Sequence, residues 1–74
     1  MNKDCQNIKL VIDNDYWIEK KSGDSYRIWD IEFVEYPVVI GFEPMFVPYP
    51  IDYRERLSID KFLERFEPDT RKGI

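Results

Sequence analysis

The sequence contains no histidine and only one cysteine, Cys5. A lone cysteine excludes both a disulfide within the chain and a cysteine-rich metal cage, and the lack of histidine removes the commonest metal ligand and general base. No apolar stretch approaches the roughly 20 residues that span a bilayer, and the polar start lacks the apolar run of a signal peptide. We therefore expect a cytoplasmic protein with no metal, no other cofactor and no membrane association.

Catalytic constellations are also lacking. Neither Cys5 nor any serine has a histidine to activate it. Asp30 and Glu32 could act as an acid–base pair about 6.7 Å apart on one strand, but no pocket around them is evident from the sequence. The cluster at 13–15 resembles the start of a calcium loop, yet Trp17 occupies the place of the next ligand. These observations predict that the protein is not an enzyme.

Aromatic residues are abundant in this short chain. Its 74 residues make a single domain and include five Phe, five Tyr and two Trp. A chain of this length buries only about 60% of its unfolded surface, so we expect the rings to supply the core, with a homodimer interface left open as a supplement. Eleven basic and fifteen acidic residues give a net charge of -4. This balance disfavours a nucleic-acid partner, which requires a basic face.

The pattern along the chain predicts one folded unit over 8–68, between a loose leader at 1–7 and a flexible tail at 69–74. Strands are expected over 8–12, 16–20, 25–36 and 38–42, and a hairpin turn around Gly23 joins the second and third. Ser58 is a favourable N-cap for a helix that ends before Pro68. The predicted fold is mainly β (α+β): a small curled antiparallel sheet of four to five strands with one short C-terminal helix.

The third predicted strand divides into two faces. One face carries Arg27, Trp29, Ile31 and Phe33, and the other carries Tyr26, Ile28, Asp30 and Glu32. The first is mainly apolar, whereas the second changes from apolar to acidic along its length. This alternation indicates a sheet with one buried face, and Trp17 and Trp29 are both expected in the core.

Two surfaces are candidates for partner binding. The first is an acidic row of Asp30, Glu32, Glu35 and Glu43, whose spacing is comparable with the phosphate spacing of a DNA strand, although an ordinary solvated face is the preferred interpretation. The second is a proline-rich extended arm over 43–54, whose anchors include Phe46, Tyr49 and Tyr53. Packing of the arm over its own sheet is preferred to partner binding, and both uses stay open. Its flanking charges, at 54–56, are expected to form surface ion pairs.

The chain also resembles a known group of proteins. An aromatic strand leads from Trp17 into the hairpin that returns at Ile28, and the chain closes with an LS-x-x-x-FL-x-RF-x-P segment from Leu57 to Pro68. Together these features resemble short phage and prophage accessory proteins with an SH3-like curled sheet. The resemblance implies a non-enzymatic phage product, and some proteins of this group bind and block host machinery. Small size, acidity, abundant aromatic residues and the lack of catalytic residues lead to the hypothesis of an inhibitor in the host cytoplasm that binds a host protein, such as a defence nuclease or a transcription enzyme. A structural or assembly protein of the phage particle is the alternative, and no site residues are transferred.

Overall fold

Five short antiparallel strands form one curled sheet in the computed structural model, which describes residues 3–34 and 36–73. The strands are β1 (Tyr16–Glu19), β2 (Ser25–Glu32), β3 (Val39–Pro44), β4 (Glu55–Ser58) and β5 (Phe66–Pro68). The helices are α1 (Lys3–Asp13) and α2 (Ile59–Arg65), with 3-10 helices at Pro50–Tyr53 and Thr70–Gly73. The order across the sheet is β4-β3-β2-β1-β5. The predicted fold, a mainly β, SH3-like curled sheet with a C-terminal helix, is confirmed.

Helix α1 includes residues 3–7 of the predicted loose leader and all of the predicted first strand, so both predictions are wrong there; residues 1 and 2 of the leader lie outside the described residues. In α1, Val11 is buried and Ile8 packs against the core, whereas Leu10 and Ile12 are exposed. The apolar run from Ile8 to Ile12 therefore divides between two sides of a helix. Lys9 supports the outer side through an ion pair with Asp13, four residues away, at 2.7 Å.

The hairpin between β1 and β2 forms as predicted. Trp17 lies opposite Tyr26 in the ladder, and the connecting turn places Gly23 at a φ of 78°. Glycine adopts this left-handed conformation without steric cost, because it has no Cβ. The Gly23 amide donates to the Glu19 carbonyl at 2.8 Å and closes the turn.

A β-bulge at Trp29 reverses the alternation halfway along β2. Ile28 is opposite Phe42 but Asp30 is opposite Gly41, so Trp29 is the extra residue. As a result, Ile28 and Ile31 both pack against the core. The two predicted faces are therefore wrong beyond this point, and Phe33 lies exposed after the end of the strand.

Aromatic rings occupy the centre of the core, as expected from the composition. The Phe62 ring centroid lies 4.9 Å from that of Trp17, 5.5 Å from that of Phe42 and 4.8 Å from that of Phe66. All four side chains are almost completely buried. The Trp17 indole N–H donates to the Asn14 carbonyl at 2.6 Å, so its polar atom is satisfied.

Two strands that were not predicted from the sequence, β4 and β5, flank α2. β4 pairs with β3 and β5 pairs with β1, and α2 spans from one edge of the sheet to the other. The helix follows Ser58 as predicted, but the Ser58 side chain makes no capping hydrogen bond. Instead, the Ile59 amide donates to the Val38 carbonyl at 2.8 Å. The contact with β3 thus positions the start of the helix.

The segment after β5 differs from the predicted loose tail. The side chain of Asp69 is buried, and its Oδ1 accepts from both the amide and the Nε of Arg71 at 3.1 Å. Residues Thr70–Gly73 then form a 3-10 helix. The Asp69 amide also donates to the Tyr16 carbonyl at 2.9 Å, which ties this segment to the start of β1.

Candidate functional site

Glu43 is the most buried of the acidic-row residues that the structure describes. Its two carboxylate oxygens accept from Arg54 Nε at 2.8 Å and from Arg27 Nη2 at 2.9 Å, and its side chain is only 6% exposed. The hydrogen bond from Arg54, assisted by Arg27, lowers the pKa of Glu43 despite the opposing effect of burial. Glu43 is therefore charged and already paired within the chain, so it does not present a free charge to a partner.

Asp30 and Glu32 are held together by one arginine. Arg56 Nη1 lies 3.3 Å from Asp30 Oδ2 and 2.8 Å from Glu32 Oε2. Glu35, the other predicted member of the row, lies outside the described residues. The described part of the row is thus compensated by Arg27, Arg54 and Arg56, and this pairing does not suit the imitation of a phosphate backbone.

Trp29 lies beneath Arg54 and Arg56 and outside the core, so the prediction that it is a core residue is wrong. The guanidinium carbons of Arg54 and Arg56 lie 4.2 Å and 4.9 Å from its ring centroid. Gly41 allows the close approach from the neighbouring strand, because a Cβ there would lie 3.0 Å from the Trp29 Nε1. Ion pairs of the charges at 54–56 were predicted from the sequence. They are confirmed, because Arg54 pairs with Glu43 and Arg56 pairs with Glu32.

The aromatic arm, which we define as residues 45–53, lies next to this charged face. Glu43 and Pro44 belong to β3, and Pro50–Tyr53 form a 3-10 helix, so the predicted extended arm is shorter than expected. Its start is attached to the sheet by the Met45 amide, which donates to the Ser25 carbonyl at 3.0 Å. Its large apolar side chains are nevertheless exposed: Met45 40%, Phe46 55%, Tyr49 70%, Ile51 62% and Tyr53 57%.

A groove of about 440 Å³ runs between the aromatic arm and the sheet. Of the predicted arm anchors, Phe46 and Tyr53 line it, while Tyr49 does not. The full lining is Tyr26, Pro44, Phe46, Val47, Asp52, Tyr53, Arg54 and Glu55. The edge of the Phe46 ring meets Tyr26 at a centroid distance of 5.6 Å, so the arm touches the sheet without burying its rings. The structure therefore brings exposed aromatic side chains and two carboxylates to one concave surface.

Among residues 3–34 and 36–73, no cluster of three or more Asp, Glu or Cys side chains could hold a metal ion. Neither helix in this part of the chain is long and apolar enough to cross a bilayer. The candidate acid–base pair of Asp30 and Glu32 is bound to Arg56, and the absence of enzyme activity stays a prediction.

The chain matches no protein-family model, no curated protein and no solved structure. The resemblance to phage accessory proteins accordingly remains a prediction from the residues that carry it.

Proposed function

We propose that this protein is a non-enzymatic interaction module that binds another protein through the aromatic arm. The observation that carries the proposal is the exposure of five large apolar side chains within residues 45–53, beside a groove. Contiguous apolar surface on a small protein is characteristic of a binding site. Aromatic side chains are also enriched among residues that dominate binding energy.

The arm suits this role better than the acidic row does. A partner that bound Glu43 or Glu32 would have to displace Arg54 or Arg56, which already occupy those carboxylates. A partner that covers Tyr49 or Ile51 displaces only water from apolar surface. The prolines at 48 and 50 restrict the backbone of the arm, which reduces the entropy lost on binding.

The resemblance to phage accessory proteins supports a more specific form of the proposal. In this form the partner is a host protein, such as a defence nuclease or a transcription enzyme, and binding inhibits it in the host cytoplasm. The net charge of -4 favours a partner with a basic surface.

The test begins with capture of a partner from the cell that makes this protein, followed by calorimetric titration of the two purified proteins. Phe46→Ser has a matched control in Phe33→Ser, since both rings are 55% exposed. Ile51→Ser is likewise matched by Ile12→Ser. We expect each arm variant to weaken binding by about 30-fold, as for a hot-spot side chain, and each control to change it by less than about twofold. Equal losses from arm and control variants would contradict the proposal.

The alternative function, a structural or assembly protein of a phage particle, is favoured by the same exposed apolar surface, because a second copy could cover it. Light scattering on the purified chain separates the two. A stable oligomer that Tyr49→Ser dissociates supports the alternative, whereas a monomer at all concentrations supports the interaction module.

A further inference from the structure

The walls of the groove are aromatic, and one of them is rigid. Tyr26 is buried and packs against Phe42 and Phe66, with ring centroids 6.0 Å and 5.0 Å away. Phe46 and Tyr53 contribute more exposed rings to the same groove. Aromatic faces attract cations because of the negative electrostatic potential above the ring.

Two carboxylates line the groove with these rings. Asp52 is exposed and forms no ion pair within the described parts of the chain. Glu55 is about half exposed, and its contact with Arg65 Nη1 is long at 3.5 Å. Arg54 also lines the groove, and its charge is balanced only in part, because Glu43 accepts from both Arg54 and Arg27. The lining thus carries two carboxylates against one arginine, and Asp52 is the carboxylate that forms no ion pair among the described residues.

The chain already uses this combination of ring and carboxylate to hold its own arginines. Arg65 donates from Nε to Glu19 at 2.6 Å, while its guanidinium carbon lies 4.9 Å from the Phe66 ring centroid. Arg54 is held in the same way by Glu43 and Trp29. Arg65 also lies 5.9 Å from the Tyr26 ring centroid and contacts Glu55, so a cation of the chain already serves that side of the groove. Among the described residues, no guanidinium group lies over the ring of Phe46 or Tyr53.

We infer that the groove receives a basic side chain, arginine or lysine, from the partner protein. This inference rests on the proposed function and specifies the chemistry of the partner. The cation lies against Phe46 and Tyr53, and its N–H groups donate to Asp52 and Glu55. The apolar side chains of the aromatic arm that lie outside the groove cover the partner residues on either side of this basic residue.

The experiment titrates the isotopically labelled full chain with Nα-acetyl-argininamide and follows the spectra of the ring and backbone groups by NMR. The matched probe is Nα-acetyl-citrullinamide, which has nearly the same shape and no charge. We expect shifts at Tyr26, Phe46 and Tyr53 with the arginine probe. The citrulline probe should bind at least about fivefold more weakly, and high salt should weaken the arginine probe.

Variants assign the binding to the groove. Asp52→Asn should weaken the arginine probe by about threefold, whereas Asp60→Asn, which neutralises an exposed aspartate on α2, should leave it unchanged. Equal affinity for the two probes, or shifts that avoid the groove, would overturn the inference. If the arginine probe fails but arm variants still abolish partner binding, only this inference falls. If the probe binds but arm variants leave partner binding intact, the proposed function falls instead.

Discussion

Replacing Gly41 with alanine tests the packing between β3 and the bulge of β2. The new Cβ would lie 3.0 Å from Nε1 and 3.1 Å from Cε2 of Trp29, and 3.3 Å from the Asp30 Cβ. The indole cannot move away freely, because the guanidinium groups of Arg54 and Arg56 lie against its ring. We therefore expect the substitution to strain the sheet.

The magnitude follows from two opposing effects. Inserting a methyl group into a filled site costs about 1–3 kcal/mol, whereas removing a glycine from a strand interior gains about 0.5–1 kcal/mol. The net expectation for Gly41→Ala is a loss of about 1 kcal/mol, or a fall in Tm of about 4–8 °C for a domain of this size. In a Trp29→Ala background the two contacts with the indole are absent and only the 3.3 Å contact with the Asp30 Cβ remains, so the same substitution should raise the free energy of unfolding by about 0.5 kcal/mol.

The assay is urea unfolding of the four proteins of this double-mutant cycle, followed by far-UV circular dichroism. Circular dichroism is preferred to fluorescence because Trp29→Ala removes one of the two tryptophans. A coupling energy of about 1.5 kcal/mol between the two sites is expected. Additive effects, or a more stable Gly41→Ala protein with Trp29 in place, would refute the reasoning.

Further predictions concern the core and the buried charges. Phe62→Ala should lower the free energy of unfolding by about 3–5 kcal/mol, a large part of the total of roughly 4–11 kcal/mol expected for a domain of this size. A loss below about 1.5 kcal/mol in urea unfolding would argue against a central role for this ring. Because the folded-state pKa of Glu43 is below its ordinary value of 4.5, its contribution to stability is present above about pH 4.5 and is lost as the pH falls through the lowered value. Glu43→Gln should therefore cost about 2 kcal/mol at pH 7 and flatten the loss of Tm on acidification; an unchanged acid profile would count against this pairing. Arg65→Lys should lower the free energy of unfolding by about 1 kcal/mol, because lysine lacks the planar guanidinium group that contacts Phe66 and at the same time donates to Glu19. Calorimetry that showed no fall in Tm would exclude this contribution of the guanidinium group.

Several elements were predictable because their signals are local. Gly23 and its polar neighbours define a tight turn, and the aromatic and branched residues on either side favour strands, so the β1–β2 hairpin was correctly predicted. The apolar spacing after Ser58 likewise located α2. The clustered prolines predicted an extended arm over 43–54, of which Glu43 and Pro44 belong to β3 and Pro50–Tyr53 form a 3-10 helix. The exposure of its rings could not be read from composition.

Other elements depended on contacts between distant residues. The run from Ile8 to Ile12 suits a strand or a helix about equally, and the burial of Val11 in the core selects the helix. β4 contains only one aliphatic residue, Leu57, and exists because β3 offers it a pairing edge. β5 has three residues, too few for a periodic pattern to be recognised.

Residue types and short spacings were sufficient to predict the class of fold, the turn at Gly23, the helix after Ser58 and the aromatic content of the core. Which side chains face outward depended instead on strand register and on contacts between distant residues. The bulge at Trp29 changes strand register by one residue, and this moves Ile31 to the core face while Trp29 lies under Arg54 and Arg56. Cross-strand register also placed arginines beside the acidic row, because the partner of a carboxylate depends on strand pairing and not on the residues next to it in the chain.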